Sequence, residues 1–528
     1  MQKLRQYVDL IKQFKVKKQE VNALLGDEQT KLHRFFEGLA TRCWKDDEDA
    51  IVRELYGEAF DTRHAPYRAL KTQLKKKLIN LLFLIDYKLS DELNDNQQMY
   101  YATVRISAAI KILLGRAKII AGIDLCHYVL DIALKAEWTE TILLISKNLR
   151  YHYSNRKPNK KKYAYYRTLY SEYFECYQAE SLAEEYYIDI SGNYINNRST
   201  KKWVQPIVQG YVSELMPYKD KVQTFQFLWF FGMLELLVHM VVNDYRSTLA
   251  VCDEYIVKLE NKPFFHKASL VMLYHQKVVC HLMLRQHEDG WKAAQKVAKW
   301  VVYGTHNWYK DRTLFIQFCL HTSRNREAMK TCIEVLKHED FKNQADDVQE
   351  ELKIYQAYIQ WLVSVGKIKP NQSENEQIGL FRLNRFLNDI PILAQDKRGL
   401  NVPVLMLQIL WVMSEKDYDA YLQRLEAVSQ YRTRHLKNDP NARTNLLLKL
   451  LHKAPELNYD VKKIRKQTQK TYITLVNTTY DIMDDTHEIE VFPYDIYWLY
   501  FLELLDYEAC DTEGSHLINN LYNISATN

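Results

Sequence analysis

The chain has 528 residues and a formal net charge of +6, from 72 basic and 66 acidic side chains. Only 14 glycines and 11 prolines are present. That is too few for the tight turns of an all-β fold or the Gly-rich loops of a nucleotide fold. A hydrophobic share of 47% supports a large core and excludes disorder over most of the length.

The start, Met1 to Lys18, spaces charges through any would-be apolar core, so no secretory leader is expected. Ala50 to Gly57, a break at Asp61 to Ala65, and Pro66 opening YRALKTQLKKKLINLLF read as a helix-turn-helix; proline suits the first turn of a helix. Arg68, Lys71 and Lys75, at i, i+3 and i+7, would then share one face that meets phosphates or a groove.

Three segments carry cations and no acid. They are Thr62 to Ile85, Thr141 to Ser171, and Val461 to Tyr480, the last with Lys462, Lys463, Arg465, Lys466 and Lys470. The second holds Lys147, Arg150, Arg156, Lys157, Lys160, Lys161, Lys162 and Arg167, interleaved with tyrosines, and Pro158 argues against a helix through its loop. Cations for phosphates and aromatic faces for bases are what single-strand binding requires. The bland readings are solvated helix faces, or pairing with acidic faces of the same chain.

Tyr163, Tyr166, Tyr170, Tyr173 and Tyr177 follow helical steps of three and four, which makes one continuous helix face. The stripe reads first as packing between helices and second as a groove for a partner peptide. Val222 to Leu234 is the most apolar stretch, too short to span a bilayer, and predicts a buried core helix. Glu235 and His239 follow it one turn apart. They read as an acid/base pair or, preferably, as a buried pair that pins helix packing, since no nucleophile or oxyanion donor accompanies them.

From Ala268 onward apolar residues recur at helical spacing. Breakers fall at His287–Gly290, Gly304–Asn307, Ser323–Asn325 and Gly366, which predicts antiparallel helix pairs. Ala250, Ala294 and Ala328 are placed at close-packing points of the second helices. Trp291-Lys-Ala-Ala294 and Asn325-Arg-Glu-Ala328 resemble the aromatic/small signature of the tetratricopeptide repeat, over residues 243 to 366. The Gly ending the first helix and the Pro ending the repeat are mostly missing. The layout also resembles a group of large helical bacterial proteins with a basic amino-terminal segment before a long helical array. That second resemblance implies no activity. Loops are expected at Asn155–Lys162, Asn371–Gln377 and Ala394–Pro403. An acidic loop is expected at Asp481–Glu490, before a closing helix in VFPYDIYWLYFLELL, and the tail after Cys510 is expected to fray.

The two nearest glycines, Gly115 and Gly122, are too far apart for a G-x-G-x-x-G, G-x-S-x-G or P-loop motif. The eight cysteines are scattered without a C-x-x-C, as in a reduced cytoplasmic protein. Cys126-His127, Cys280-His281 and Cys319-Leu-His321 are adjacent pairs but not four-ligand clusters. No catalytic residue, metal or cofactor is therefore assigned.

The expected fold is all-α, a tetratricopeptide-like stack of antiparallel helix pairs, an α-solenoid. It divides into a basic amino-terminal region (1–100), a first array (101–242), the tetratricopeptide-like repeats (243–400) and a carboxy-terminal region (401–528). The resemblance and the missing motifs imply a non-catalytic scaffold or adaptor for a protein or peptide, without membrane insertion. One alternative is a nucleic-acid-binding regulator that uses Arg68, Lys71 and Lys75 or Arg156, Lys157, Lys160, Lys161 and Lys162. A second is an enzyme with a site built from distant helices.

Overall fold

The computed structural model describes residues 1–14, 16–41, 48–87, 95–196, 201–262, 266–379, 401–435, 442–478 and 490–506. Every regular element among the described residues is helical. The α-helices in the first third are α1 Gln2–Gln13, α2 Lys18–Leu25, α3 Lys31–Ala40, α4 Glu48–Tyr56, α5 Ala65–Leu82, α6 Asp95–Gly115, α7 Ile119–Ala136, α8 Thr139–Tyr151 and α9 Lys160–Asn196. Next come α10 Lys201–Leu215, α11 Phe225–Met240, α12 Tyr245–Glu260, α13 Lys267–Met283, α14 His287–Val297, α15 His306–His321, α16 Asn325–Lys337, α17 Asp346–Ser364 and α18 Gln372–Ile378. The last are α19 Asn401–Ser414, α20 Tyr418–His435, α21 Ala442–Glu456, α22 Val461–Asn477 and α23 Tyr494–Leu505. No helix among the described residues is long and apolar enough to cross a membrane.

Helix starts follow from local chemistry. Side-chain oxygens of Thr30, Thr224, Asp244, Thr305, Asn371 and Asp460 accept N–H groups in the first turn of α3, α11, α12, α15, α18 and α22. Helix ends are less expected. Ala117, Glu137, Asn243, Arg285, Ser323 and Lys416 all sit at φ between 56° and 60°. Each is followed by an N–H that donates to the carbonyl five residues back: Lys118 to Leu113, Trp138 to Ala133, Asp244 to His239, Gln286 to His281, Arg324 to Cys319 and Asp417 to Val412. This is one left-handed turn, found among the described residues between α6 and α7, α7 and α8, α11 and α12, α13 and α14, α15 and α16, and α19 and α20, and again at Asn458 between α21 and α22, where the Tyr459 N–H donates to the Ala454 carbonyl. At these positions the usual glycine is replaced but its geometry is kept; between α17 and α18 Gly366 holds it, with the Lys367 N–H on the Leu362 carbonyl.

The chain divides into two compact units, Met1–Tyr177 and Gln178–Asn528. In the first unit, α1 to α5 close around Val8, Phe35, Phe36, Ile51, Tyr67 and Leu78. The helices α6 to α9 have their own core of Ile110, Cys126, Val129, Ile142, Ile145, Leu149 and Tyr166. In the second unit successive helices pack from α10 to α14, and α13 also packs on α15, and α15 on α17. One core runs from Val278 through Trp361, Leu407 and Leu451 to Phe501.

Several expectations change on this frame. Gly290 is not a breaker: it lies inside α14, where a Cβ would come within 2.7 Å of the Phe318 ring, so it is a close-packing residue and Arg285 makes the turn. Ala250 is exposed, because the buried face of α12 runs through Thr248, Cys252, Tyr255, Ile256 and Leu259. Ala294 and Ala328 are buried as expected. Asn371–Gln377 is a helix rather than a loop, since Asn371 and Glu374 form a reciprocal capping box. Asn401 to Pro403 open α19, and α23 is the expected closing helix. Residues 394–400, 481–489 and the tail after Cys510 lie outside the described residues, as do Cys43 and Cys510 themselves.

Candidate binding surfaces

The basic segment Thr141–Ser171 forms the corner between α8 and α9. The end of α8 widens into a π-helical turn, His152–Arg156, and the Asn159 N–H then donates to the Tyr153 carbonyl at 2.9 Å. Asn159 Oδ1 accepts the Lys162 N–H at 3.0 Å and opens α9. Such π turns inside helical runs are frequent at functional sites.

A hydrogen-bonded cluster holds the corner together. Lys162 Nζ donates to the Tyr153 hydroxyl at 3.2 Å and lies over its ring. His127 of α7 bridges two tyrosines, with Nε2 3.1 Å from the Tyr153 hydroxyl and Nδ1 3.3 Å from that of Tyr166. The two tyrosine rings stack at 5.7 Å. Burial and the Lys162 ammonium hold His127 below the ordinary histidine range. Burial pushes Tyr166 up to about 12. His152 Nδ1 is buried without a hydrogen-bond partner among the described residues.

On this core stand the cations. Arg150 lies over the Tyr170 ring at 4.4 Å, and Arg156 over Tyr151 at 5.9 Å. Lys147, Arg156, Lys157, Lys160, Lys161 and Arg167 are exposed. None of the eight cations in the segment is ion-paired with a carboxylate among the described residues. Tyr151 and Tyr165 remain 57% and 54% exposed beside them. The tyrosine stripe is graded rather than uniform. Tyr166 is buried, Tyr163, Tyr170 and Tyr173 are half-buried, and Tyr177 is exposed.

The amino-terminal basic face is less free. Lys71 Nζ is 2.5 Å from Glu48 Oε1, which also accepts the Tyr67 hydroxyl at 3.0 Å. Lys71 thus braces α5 against α4. Arg68 and Lys75 are exposed, and Arg68, Thr72 and Lys76 line a shallow hollow along α5. Lys75 and Lys76, rather than Lys71, share the open side of α5 with Arg68. In the third basic segment Lys463 pairs with Asp460 at 3.2 Å and Arg465 with Asp506 at 3.9 Å.

An apolar surface lies where the residues after α5 meet α6. Arg105 of α6 donates to the Ile85 carbonyl at 3.3 Å, and Tyr87 stacks on Tyr101 at 4.8 Å. Around this joint Ile79, Phe83, Leu84, Tyr100, Tyr101 and Val104 are all exposed. Tyr101, Val104 and Ile112 continue along one face of α6, which packs chiefly on α7.

The remaining candidates are engaged elsewhere. Glu235 and His239 do not pair. Glu235 takes Lys219 at 2.7 Å and the Tyr255 hydroxyl at 2.5 Å, whereas His239 faces Asp244 at 3.7 Å. Burial pushes the Cys126 and Cys280 thiols up to about 12 and that of Cys319 still higher. Their neighbours His127, His281 and His321 bond to tyrosines, to Gln286 and to the Glu490 carbonyl. One buried ion network was not legible in the sequence: Arg443 with Glu490 and Asp495.

No protein-family model, curated protein or solved structure matches the chain.

Proposed function

We propose that the chain is a tetratricopeptide-like α-solenoid that acts as a non-catalytic scaffold, binding a protein or peptide partner on its helical surface. The exposed apolar surface of α5 and α6 carries this reading. Ile79, Phe83, Leu84, Tyr100, Tyr101, Val104 and Ile112 are all exposed, and exposed apolar surface of this kind marks interaction sites. The repeat reading draws support from the recurrent left-handed turn and from α13, α15 and α17 packing as alternate helices.

The experiment is affinity recovery of a stoichiometric partner by the wild-type chain and by Val104→Asp/Ile112→Asp. The scaffold reading requires a defined partner that the variant loses while its circular dichroism spectrum is unchanged. Equal recovery by both would sink the assignment of this surface.

A further inference from the structure

We propose that the corner between α8 and α9 is a binding site for single-stranded nucleic acid, separate from the apolar surface of α5 and α6. Three observations carry it together: cations without a carboxylate partner among the described residues, exposed aromatic rings and a hydrogen-bonded platform under both.

The charge comes first. A segment without acids can still be neutralised by carboxylates from neighbouring helices, as Glu48 neutralises Lys71. At this corner that does not happen: Lys147, Arg150, Arg156, Lys157, Lys160, Lys161, Lys162 and Arg167 have no carboxylate partner among the described residues. Asp124 and Asp131 of α7 act on His127, and Asp131 also on Tyr166, behind the cations. A row of unpaired cations raises the local concentration of anions and releases counterions when phosphates replace them.

The form of the charge selects the ligand. A single phosphate is best held by a converging arginine fork. Here lysines dominate, and Lys157, Lys160 and Lys161 are spread along a loop and the first turn of a helix. Point charges in a row suit successive phosphates of one strand. Tyr151 and Tyr165 then add what an acidic peptide does not need, two exposed rings beside the cations. Bases stack on such rings without regard to sequence, and only an unpaired strand offers its bases.

The platform is already ordered. Stacked Tyr153 and Tyr166, bridged by His127 and tied to Lys162, fix the backbone from which Arg156 to Lys161 project. A strand would dock on a prearranged corner rather than order a loose loop, which lowers the entropic cost of binding.

The test is fluorescence anisotropy with labelled oligo-uridylate of about 20 nucleotides, longer than the ~4–16 that one site covers. The same oligonucleotide in a duplex and labelled polyglutamate are the comparison probes. If four cations close on phosphates, affinity falls about 50-fold between 50 and 200 mM salt. Lys157→Glu/Lys160→Glu/Lys161→Glu should abolish most binding and flatten that dependence. If that variant misfolds, Lys160→Gln and Lys161→Gln singly should each lower the slope by about 0.7. Tyr151→Ala and Tyr165→Ala should each weaken binding about fivefold or more without changing the slope, and Phe at either position should restore it. The proposal is overturned if the wild type shows no salt-dependent binding at micromolar concentration, or if the duplex binds as tightly as the single strand. It is also overturned if polyglutamate competes equally and the tyrosine variants behave as wild type, which would make the corner a face for acidic proteins.

Discussion

Arg443 forks onto Glu490, with Nε 2.7 Å from Oε1 and Nη2 3.1 Å from Oε2, and both side chains are buried. The same guanidinium donates to the Leu475 and Thr478 carbonyls and to Asp495. Glu490 Oε2 also accepts the Tyr494 N–H, at 3.1 Å. One side chain of α21 thus ties the end of α22 to the start of α23. Removing one partner leaves the other buried and unpaired. Glu490→Gln and Arg443→Met should each cost about 3–5 kcal/mol of stability, and Arg443→Met/Glu490→Leu should recover much of it. Urea denaturation of the single and double variants measures this. Additive losses in the double variant would contradict it.

His321 gives the same region a pH dependence. Its Nε2 bonds to the Glu490 carbonyl at 2.6 Å, and burial lowers its pKa to about 4. The unfolded chain, with histidine near 6.5, binds the proton more tightly. Stability from His321 is therefore complete above about pH 6.5 and is lost as the pH falls toward 4, by roughly 3 kcal/mol in all. His321→Gln should flatten the denaturation midpoint between pH 4 and 6.5. An unchanged profile would show that His321 does not set it.

The left-handed turns predict stabilising glycines. Ser323 sits at φ 57°, a conformation that costs an L-residue about 1–2 kcal/mol, against about 0.5–1 kcal/mol of extra backbone entropy for glycine. Ser323→Gly should raise stability by about 0.5–1 kcal/mol, and Ser323→Val should lower it. Thermal denaturation of the pair decides; a destabilised glycine variant would mean that the turn is not held in this conformation.

Gly232 is the opposite case. A Cβ there would lie 2.6 Å from the Tyr255 ring, which is itself buried and bonded to Glu235. Gly232→Ala should cost about 1–3 kcal/mol through overpacking, with Tyr255→Leu in the same chain recovering part of it. A neutral Gly232→Ala in a urea titration would mean that α11 and α12 pack less closely than they do here.

The helices were legible because apolar spacing is local, and so were the turns at Gly304, Ser323 and Gly366. Gly290 misled because a glycine that admits a neighbouring ring looks, in one dimension, like a glycine that turns the chain. The other left-handed turns were hidden by alanine, glutamate, asparagine, arginine and lysine at positions usually marked by glycine. The cations of the α8–α9 corner could be named from composition, but their lack of carboxylate partners among the described residues could not. Lys71 belongs to an equally basic segment and is neutralised by Glu48, which lies in a different helix. Glu235 and His239 shared a helix spacing yet chose partners from other elements. The Arg443–Glu490 pair joins residues too far apart in sequence for any periodicity to relate them.

The scaffold reading is tested most directly by a photo-cross-linking residue at position 104, with Lys337 as an exposed control on another helix. In cells, position 104 should give discrete adducts of defined mass to another protein, lost when Ile112→Asp is added, while position 337 gives none. No adduct at 104, or the same adducts from both positions, would contradict the account.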